Sequence, residues 1–314
     1  MTVCRVCGNA EENHIFEVKE MLRGTRDVFK YMECGTCKCV QIINPPVDMT
    51  AYYDNHFYGS FSNQRKNRIT ELMRRIRNRY AIRKQGDLIG MVFSKIKPLP
   101  RYFTIVGEHA TAASRILDVG CGAGSYVSNL REIGFENATG IDPYIKDDLH
   151  LANGGVIRKS YIEDVKDSYD VILSHHSLEH VPHPLDTLVA IRQRLSPGGV
   201  CILTVPVAEN LYRKYRSDCY LIQAPQHFYL FSIDSLHILA TKAGFLIESI
   251  FREFDSNFEW YVSSELWSQN VASNEFEGTG IKFLSNSKQQ EIKSEYLRLK
   301  RNQQGDNVIF VLRN

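Results

Sequence analysis

The stretch Arg115-Ile116-Leu117-Asp118-Val119-Gly120-Cys121-Gly122-Ala123-Gly124 constrains this chain more than any other. An apolar run ending in an acid and three alternating glycines reads as a strand entering a tight turn. Beyond it, Tyr126, Val127, Leu130 and Ile133 recur at helical spacing, so a helix follows. Glycines let the backbone approach a ligand closely, and a helix N-terminus offers N–H groups without partners inside the helix. Ala138-Thr139-Gly140-Ile141-Asp142 reads as a second strand ending in a carboxylate, 22 residues past Gly120. An acid placed there can accept hydrogen bonds from ribose hydroxyls. A glycine turn by itself serves dinucleotides equally well.

The surroundings separate these readings. The turn is GxGxG preceded by Asp118, rather than the GxGxxG that cradles a pyrophosphate. Tyr169–Ser174 reads as a fourth strand, followed by His175-His176-Ser177-Leu178-Glu179-His180-Val181. A helix from about Leu185 to Leu195 ends at the turn Ser196-Pro197-Gly198-Gly199, and Val200–Pro206 gives a fifth strand. Over residues 112–250 the chain resembles the class I S-adenosylmethionine-dependent methyltransferases, in the branch with an LDVGCGxG loop, an LEHV segment and an LxPGG turn. His227-Phe228-Tyr229-Leu230-Phe231-Ser232, with Ser235-Leu236 and Ala243-Gly244-Phe245, is similar to that branch's HxxxFS…SL…AGF stretch.

The resemblance implies an α/β, Rossmann-like seven-stranded sheet whose last strand is antiparallel, with S-adenosylmethionine as cofactor. It implies that the loop carrying Asp118, Gly120, Cys121, Gly122 and Gly124 wraps the methionine part, with Asp118 near the amino group. Asp142 would bind the ribose and Pro143 would lie against the adenine. Glu163 and Asp164 are candidates for the adenine amino contact, and Ser174 and His175 would approach the methyl region. Asn307–Arg313 reads as the final strand of an antiparallel hairpin, which makes 255–306 an insertion that shapes the acceptor pocket.

Five of eight cysteines fall in the first 39 residues, as Cys4-x-x-Cys7 and Cys34-x-x-Cys37 with 26 residues between the pairs, plus Cys39. Two such knuckles complete a tetrahedral Zn–S4 shell, and a shell with no open position is structural rather than catalytic. Cys4, Cys7, Cys34 and Cys37 are the expected ligands, with Cys39 an alternative to Cys37. Residues 1–45 thus form a small zinc ribbon closed by Asn44-Pro45-Pro46. Residues 46–110 form a linking region and 111–314 the main domain.

The linking region carries the aromatic cluster Tyr52, Tyr53, Phe57, Tyr58 and Phe61, then nine Lys/Arg and one acid over 64–84 at amphipathic helical spacing. Its twelve basic and five acidic residues lie between a neutral ribbon and a main domain with twenty basic and twenty-five acidic residues. A local anion site is possible, but the distribution disfavours a nucleic-acid-coating protein. No apolar run reaches the ~18–20 residues that span a bilayer. The N-terminus has no charged-then-apolar leader, so a cytoplasmic protein is expected.

Methyl transfer needs an aligned acceptor and, for a hydroxyl or amine, a group that takes its proton. His176, His180 and His227 are the candidates. The leading expectation is O-methylation of a small molecule or glycan, an anionic nucleotide- or lipid-linked sugar. A zinc-binding segment ahead of this fold resembles the deoxysugar C-methyltransferases, but their further C-terminal domain is not seen here, which favours oxygen as acceptor atom. The alternatives are an rRNA or tRNA methyltransferase gripping RNA through the ribbon and basic helix, and a non-catalytic S-adenosylmethionine-binding scaffold.

Overall fold

A computed structural model describes residues 2–53, 72–73, 76–78, 80, 88–96, 99–254 and 257–314. Most of the aromatic cluster and of the basic helix expected over 64–84 lies outside them. Among the described residues twelve strands form two sheets. The first strands are β1 (His14–Lys19), β2 (Val28–Glu33), β3 (Val40–Ile42), β4 (Ile116–Val119), β5 (Ala138–Ile141) and β6 (Leu149–His150). They are followed by β7 (Val156–Arg158), β8 (Tyr169–His175), β9 (Leu195–Pro206), β10 (Tyr229–Leu230), β11 (Leu246–Glu253) and β12 (Asn307–Arg313). Helices of note are α1 (Leu88–Ile96), α2 (Arg101–His109), α3 (Ser125–Glu132), α4 (Pro184–Gln193), α5 (Asn210–Tyr215), α6 (Ile233–Lys242), α7 (Asn257–Ser268) and α8 (Asn286–Arg301).

The large sheet has the order β11-β12-β9-β8-β4-β5-β7-β6. Strands β4, β5, β7, β8 and β9 run parallel, and β12 runs antiparallel to both β9 and β11. The seven expected strands are present with the last one reversed. The two-residue β6 adds an eighth by folding back antiparallel on β7. One turn is corrected: Ser196-Pro197-Gly198-Gly199 is not a break before the fifth strand. It lies within β9, which begins at Leu195 beside Tyr169, with a register irregularity before Val200 meets Val171. A bulge absorbs the glycines while the ladder continues.

Both faces of this sheet are covered, so its central strands are largely apolar, and β4 is buried at every residue, Asp118 included. Side chains alternate between faces. Leu117, Ile172, Leu203 and Phe310 pack against Leu188 and Ile191 of α4 and Leu236 and Leu239 of α6. Ile116, Val171, Ile202 and Ile309 pack on the opposite face against Tyr102 and Val106 of α2 and Val127 and Leu130 of α3. Local signals fix the helix starts. Pro184 opens α4, and the Ser232 hydroxyl accepts from the Ser235 N–H to cap α6.

The small sheet has the order β1-β2-β3-β10, all antiparallel. Its fourth strand comes from the main domain: Tyr229 pairs with Gln41 and Leu230 with Val40. Val18, Tyr31 and Ile42 share one apolar core with Leu211 of α5, Tyr261 and Leu266 of α7, and Ile292 and Leu299 of α8. Helices α7 and α8, between β11 and β12, therefore pack on the cysteine-bearing segment. Among the described residues no helix is long and apolar enough to cross a membrane.

Candidate active site and cysteine cluster

Strands β4 and β5 run side by side; β4 carries Asp118 within it and β5 is followed directly by Asp142, of which Asp142 but not Asp118 lines the cavity described below. Asp142 accepts hydrogen bonds from the N–H of Gly122 at 2.9 Å and of Tyr144 at 2.8 Å. It thereby holds the glycine turn against the end of β5. Burial pushes its carboxyl up, and the two N–H groups oppose that shift. Asp118 is buried, and its Oδ2 has no partner among the described residues. Burial, then the Asp142 charge, pushes its carboxyl up to about 8.

The glycines divide the work. Gly120 has φ +74, and a Cβ there would lie 2.5 Å from the Ser177 Cβ, so the chain passes too closely for any side chain. Gly122 has φ +53, and a Cβ there would meet nothing within 4 Å. Both line a cavity of about 900 Å³ that runs from this turn to the histidines. An orphaned buried carboxylate, a glycine wall and a second acid at a strand end suit the ammonium and ribose of S-adenosylmethionine.

Of the other residues expected at the cofactor, Pro143 and Glu163 line the cavity, the latter exposed at its rim. Asp164 is exposed and does not line it. The Cys121 thiol packs beneath β5, where a Cβ on Gly140 would meet it at 2.5 Å. Gly124 faces Ile157 of β7. Ser174 is buried and bonds the Ser177 hydroxyl at 2.7 Å, behind the wall rather than in it. His175, expected near the methyl region, lies on the other face of β8. It shares the face of Val171 and Leu173, its ring lies 4.6 Å from Tyr102 and 4.2 Å from Tyr126, and its Nε2 bonds the Tyr126 hydroxyl. Strand alternation puts His175 behind the sheet and leaves His176 in front.

His176, His180 and His227 all line the far end of the cavity, with Tyr53, Trp260 and Gln226. His227 Nδ1 lies 2.8 Å from the Leu221 carbonyl, and His180 Nδ1 lies 3.0 Å from the Gln226 carbonyl. A carbonyl only accepts, so each Nδ1 carries a proton, and in a neutral ring this leaves Nε2 as an acceptor. Burial, then the neighbouring His180, pushes His227 down to about 3, so its ring is neutral.

Sequence reasoning passed over Glu179, which is fully buried between these rings. Its Oε1 lies 3.3 Å from His176 Nδ1 and its Oε2 has no partner among the described residues. Burial would raise this carboxyl, but the hydrogen bond to His176, then that ring's charge, hold it down at about 2. The signal was the acid beside His180 in LEHV, where attention went to the histidine alone.

At the other end of the small sheet, Cys4 and Cys37 sulfurs lie 3.6 Å apart and Cys7 and Cys34 sulfurs 3.5 Å apart. All four thiols converge within 4.8 Å. A tetrahedron with Zn–S bonds of ~2.3 Å has edges of roughly 3.7 Å, so the quartet suits zinc without rearrangement. Cys39 is buried outside the quartet, with its thiol toward the Val40 carbonyl at 3.6 Å.

Residues 65–250 match the family described as "Methyltransferase domain". The chain belongs to that methyltransferase family. The strand order of its large sheet is the one expected of class I S-adenosylmethionine-dependent members. The "Ubiquinone biosynthesis O-methyltransferase" of Nitrosococcus oceani is 36% identical over 121 residues, 33% of this chain and 51% of that protein. The protein of the same name from Nitrosospira multiformis is 36% identical over 122 residues, 34% of this chain and 51% of that protein. This methyltransferase chain thus spans about half the length of the curated relatives it matches. Among solved structures, the cyclopropane synthase MmaA2 from Mycobacterium tuberculosis aligns with TM-score 0.44 and 14% identity, over 80% of this chain and 100% of that one.

Proposed function

We propose that this chain transfers the methyl group of S-adenosylmethionine to a hydroxyl oxygen of a small molecule. One observation carries the reading: a single cavity joins the Gly120–Gly122 wall and Asp142 to the histidines around Glu179. S-adenosylmethionine supplies an electrophilic methyl group on a sulfonium. Asp118 and Asp142 hold the donor's charged and ribose ends, while Ser177 supports the glycine turn from behind. Trp260 and Tyr53 give flat apolar surface to a ring-shaped acceptor. The Nε2 acceptors of His180 and His227 face the place where an acceptor hydroxyl must present its proton. The cysteine quartet would hold a structural zinc ion.

For the acceptor we favour a nucleotide- or lipid-linked sugar, whose ring face would lie on Trp260. A second reading is favoured by the relatives named for ubiquinone biosynthesis: an aromatic hydroxyl, stacked on the same surface.

Calorimetric titration with S-adenosylhomocysteine should give saturable binding that Asp142→Ala abolishes. Labelled methyl donor offered with nucleotide sugars, hydroxylated aromatics and RNA then identifies the acceptor. Folded protein that takes up no S-adenosylhomocysteine would overturn the reading in favour of a scaffold.

A further inference from the structure

We propose that a groove between β1, the second cysteine knuckle and the end of α5 is a binding site for an uncharged saccharide. Its volume is about 540 Å³, within the ~300–1,000 Å³ of small-molecule sites. None of the residues lining it lines the cavity that holds the histidines. Three rings give it flat apolar surface. His14 and Phe16 alternate onto one face of β1 and stack with centroids 5.8 Å apart at 15°. Tyr212 of α5 adds the third ring, 6.4 Å from Phe16. Such a surface suits the C–H face of a sugar ring. The polar groups around it carry both signs, Glu12, Glu17 and Glu33 against Lys38 and Arg216. That near-balance gives an anionic ligand no net attraction. Acceptors and donors side by side instead match hydroxyls, each of which both donates and accepts.

Arg216 marks the groove as built. It closes α5 at φ +49 and ψ −117, a strained conformation for any residue but glycine. Strain of this kind persists only where the surroundings over-determine it. Here the Glu33 carboxylate accepts from Arg216 Nη1 at 3.2 Å and from the Tyr212 hydroxyl at 2.8 Å. The guanidinium also lies over the Tyr212 ring, 5.4 Å from its centroid. The Arg216 side chain is nonetheless mostly exposed, and an exposed ion pair contributes little by itself. Presenting the guanidinium fork to a ligand is what accounts for the strained backbone. The site would hold a sugar unit remote from the reacting hydroxyl of a larger acceptor. That use rests on the glycan acceptor favoured above; occupancy of the groove does not, and is measured without methyl donor or turnover.

The probe is an array of immobilised neutral oligosaccharides, with sialylated and sulfated ones beside them, offered to labelled full-length protein. We expect capture by neutral glycans that changes little as salt rises. Arg216→Gly and His14→Ala should each weaken capture by about tenfold or more. Glycine adopts the left-handed backbone without strain, so Arg216→Gly should keep or raise the thermal midpoint. Loss of the fork is thereby separated from loss of the fold. His14 is exposed, so its variant tests the ring surface without opening the core. Folded wild-type protein captured by no neutral glycan, or only by the anionic ones, would overturn the proposal, as would variants captured as tightly as wild type. Failure of the methyl-transfer reading would instead show as lost S-adenosylhomocysteine binding with glycan capture intact.

Discussion

The hydroxyl of Tyr31, on the second strand of the cysteine-bearing sheet, donates to the backbone carbonyl of His227 at 2.9 Å. A residue of the small sheet thereby fixes the backbone of a histidine in the cavity. The contact is not isolated. Ser232, which caps α6, also donates to the carbonyl of Cys37 inside the second cysteine knuckle. The cysteine quartet and the cavity are joined through the segment 227–232, which gives the small sheet its fourth strand.

Stripping the zinc proposed for the quartet should therefore reach the cavity. Without an ion the thiols take up protons and nothing ties the two knuckles together, so they open and β3 loses its register with β10. Chelation should lower the thermal midpoint and weaken S-adenosylhomocysteine binding together, both restored by zinc. Tyr31→Phe isolates the strut: losing one buried hydrogen bond costs about 1–2 kcal/mol of stability in urea unfolding. Turnover should fall further than cofactor affinity, because His227 belongs to the acceptor end.

The two cavity glycines predict a contrast. Gly120→Ala puts a methyl group 2.5 Å from the Ser177 Cβ at a left-handed φ, so the turn must move. S-adenosylhomocysteine affinity should drop more than tenfold, above 1.4 kcal/mol. Gly122→Ala meets no atom within 4 Å. It should cost the fold only the left-handed backbone penalty of ~1–2 kcal/mol, while its methyl group narrows the cavity wall read as the cofactor's and weakens S-adenosylhomocysteine binding. Calorimetry and urea unfolding of the pair check both.

What sequence exposed and what it hid divide along physical lines. The run through Asp118 and Asp142 was legible because parallel strands buried on both faces are largely apolar and their glycine turns are local. The cysteine spacing was equally local. Strand β10 was not legible, because two residues carry no periodicity and their pairing with β3 spans nearly two hundred positions. His175 illustrates a one-residue limit. Neighbouring histidines at a strand end look alike in sequence, yet alternation sends one behind the sheet and the other into the cavity. Glu179 was hidden because nothing local reports that an acid will be fully buried among three imidazoles.

Trp260 tests whether the segment between β11 and β12 serves the acceptor. It lines the cavity near His176, the two rings 6.4 Å apart at 81°. Trp267, further along the same helix, instead packs with Met21 and Ala272 and does not line the cavity. Trp260→Ala should raise the acceptor KM about three- to tenfold, the worth of ~0.5–1.5 kcal/mol of ring contact, and leave S-adenosylhomocysteine affinity unchanged. Trp267→Ala should lower stability and leave the KM alone. Steady-state kinetics with the identified acceptor separate the two.

Asp118 makes cofactor binding depend on pH, and the sign follows from its burial. Its carboxyl is raised to about 8, first by burial and then by the Asp142 charge, against ~3.9 in an unfolded chain. Between those values the folded protein holds a proton that the unfolded chain has lost. This group's stabilising contribution is therefore complete below about pH 4 and declines as pH rises towards 8. The ammonium of the methionine moiety favours the ionised form. Binding must then expel the proton, so S-adenosylhomocysteine affinity should strengthen with rising pH and level off above about 8. Calorimetry in buffers of different ionisation enthalpy should show close to one proton released per ligand at pH 6. Asp118→Asn, which carries no such proton, should bind more weakly, release none and lose the pH dependence. Proton release that persists in Asp118→Asn would assign it to another group, with Asp142 the next to test.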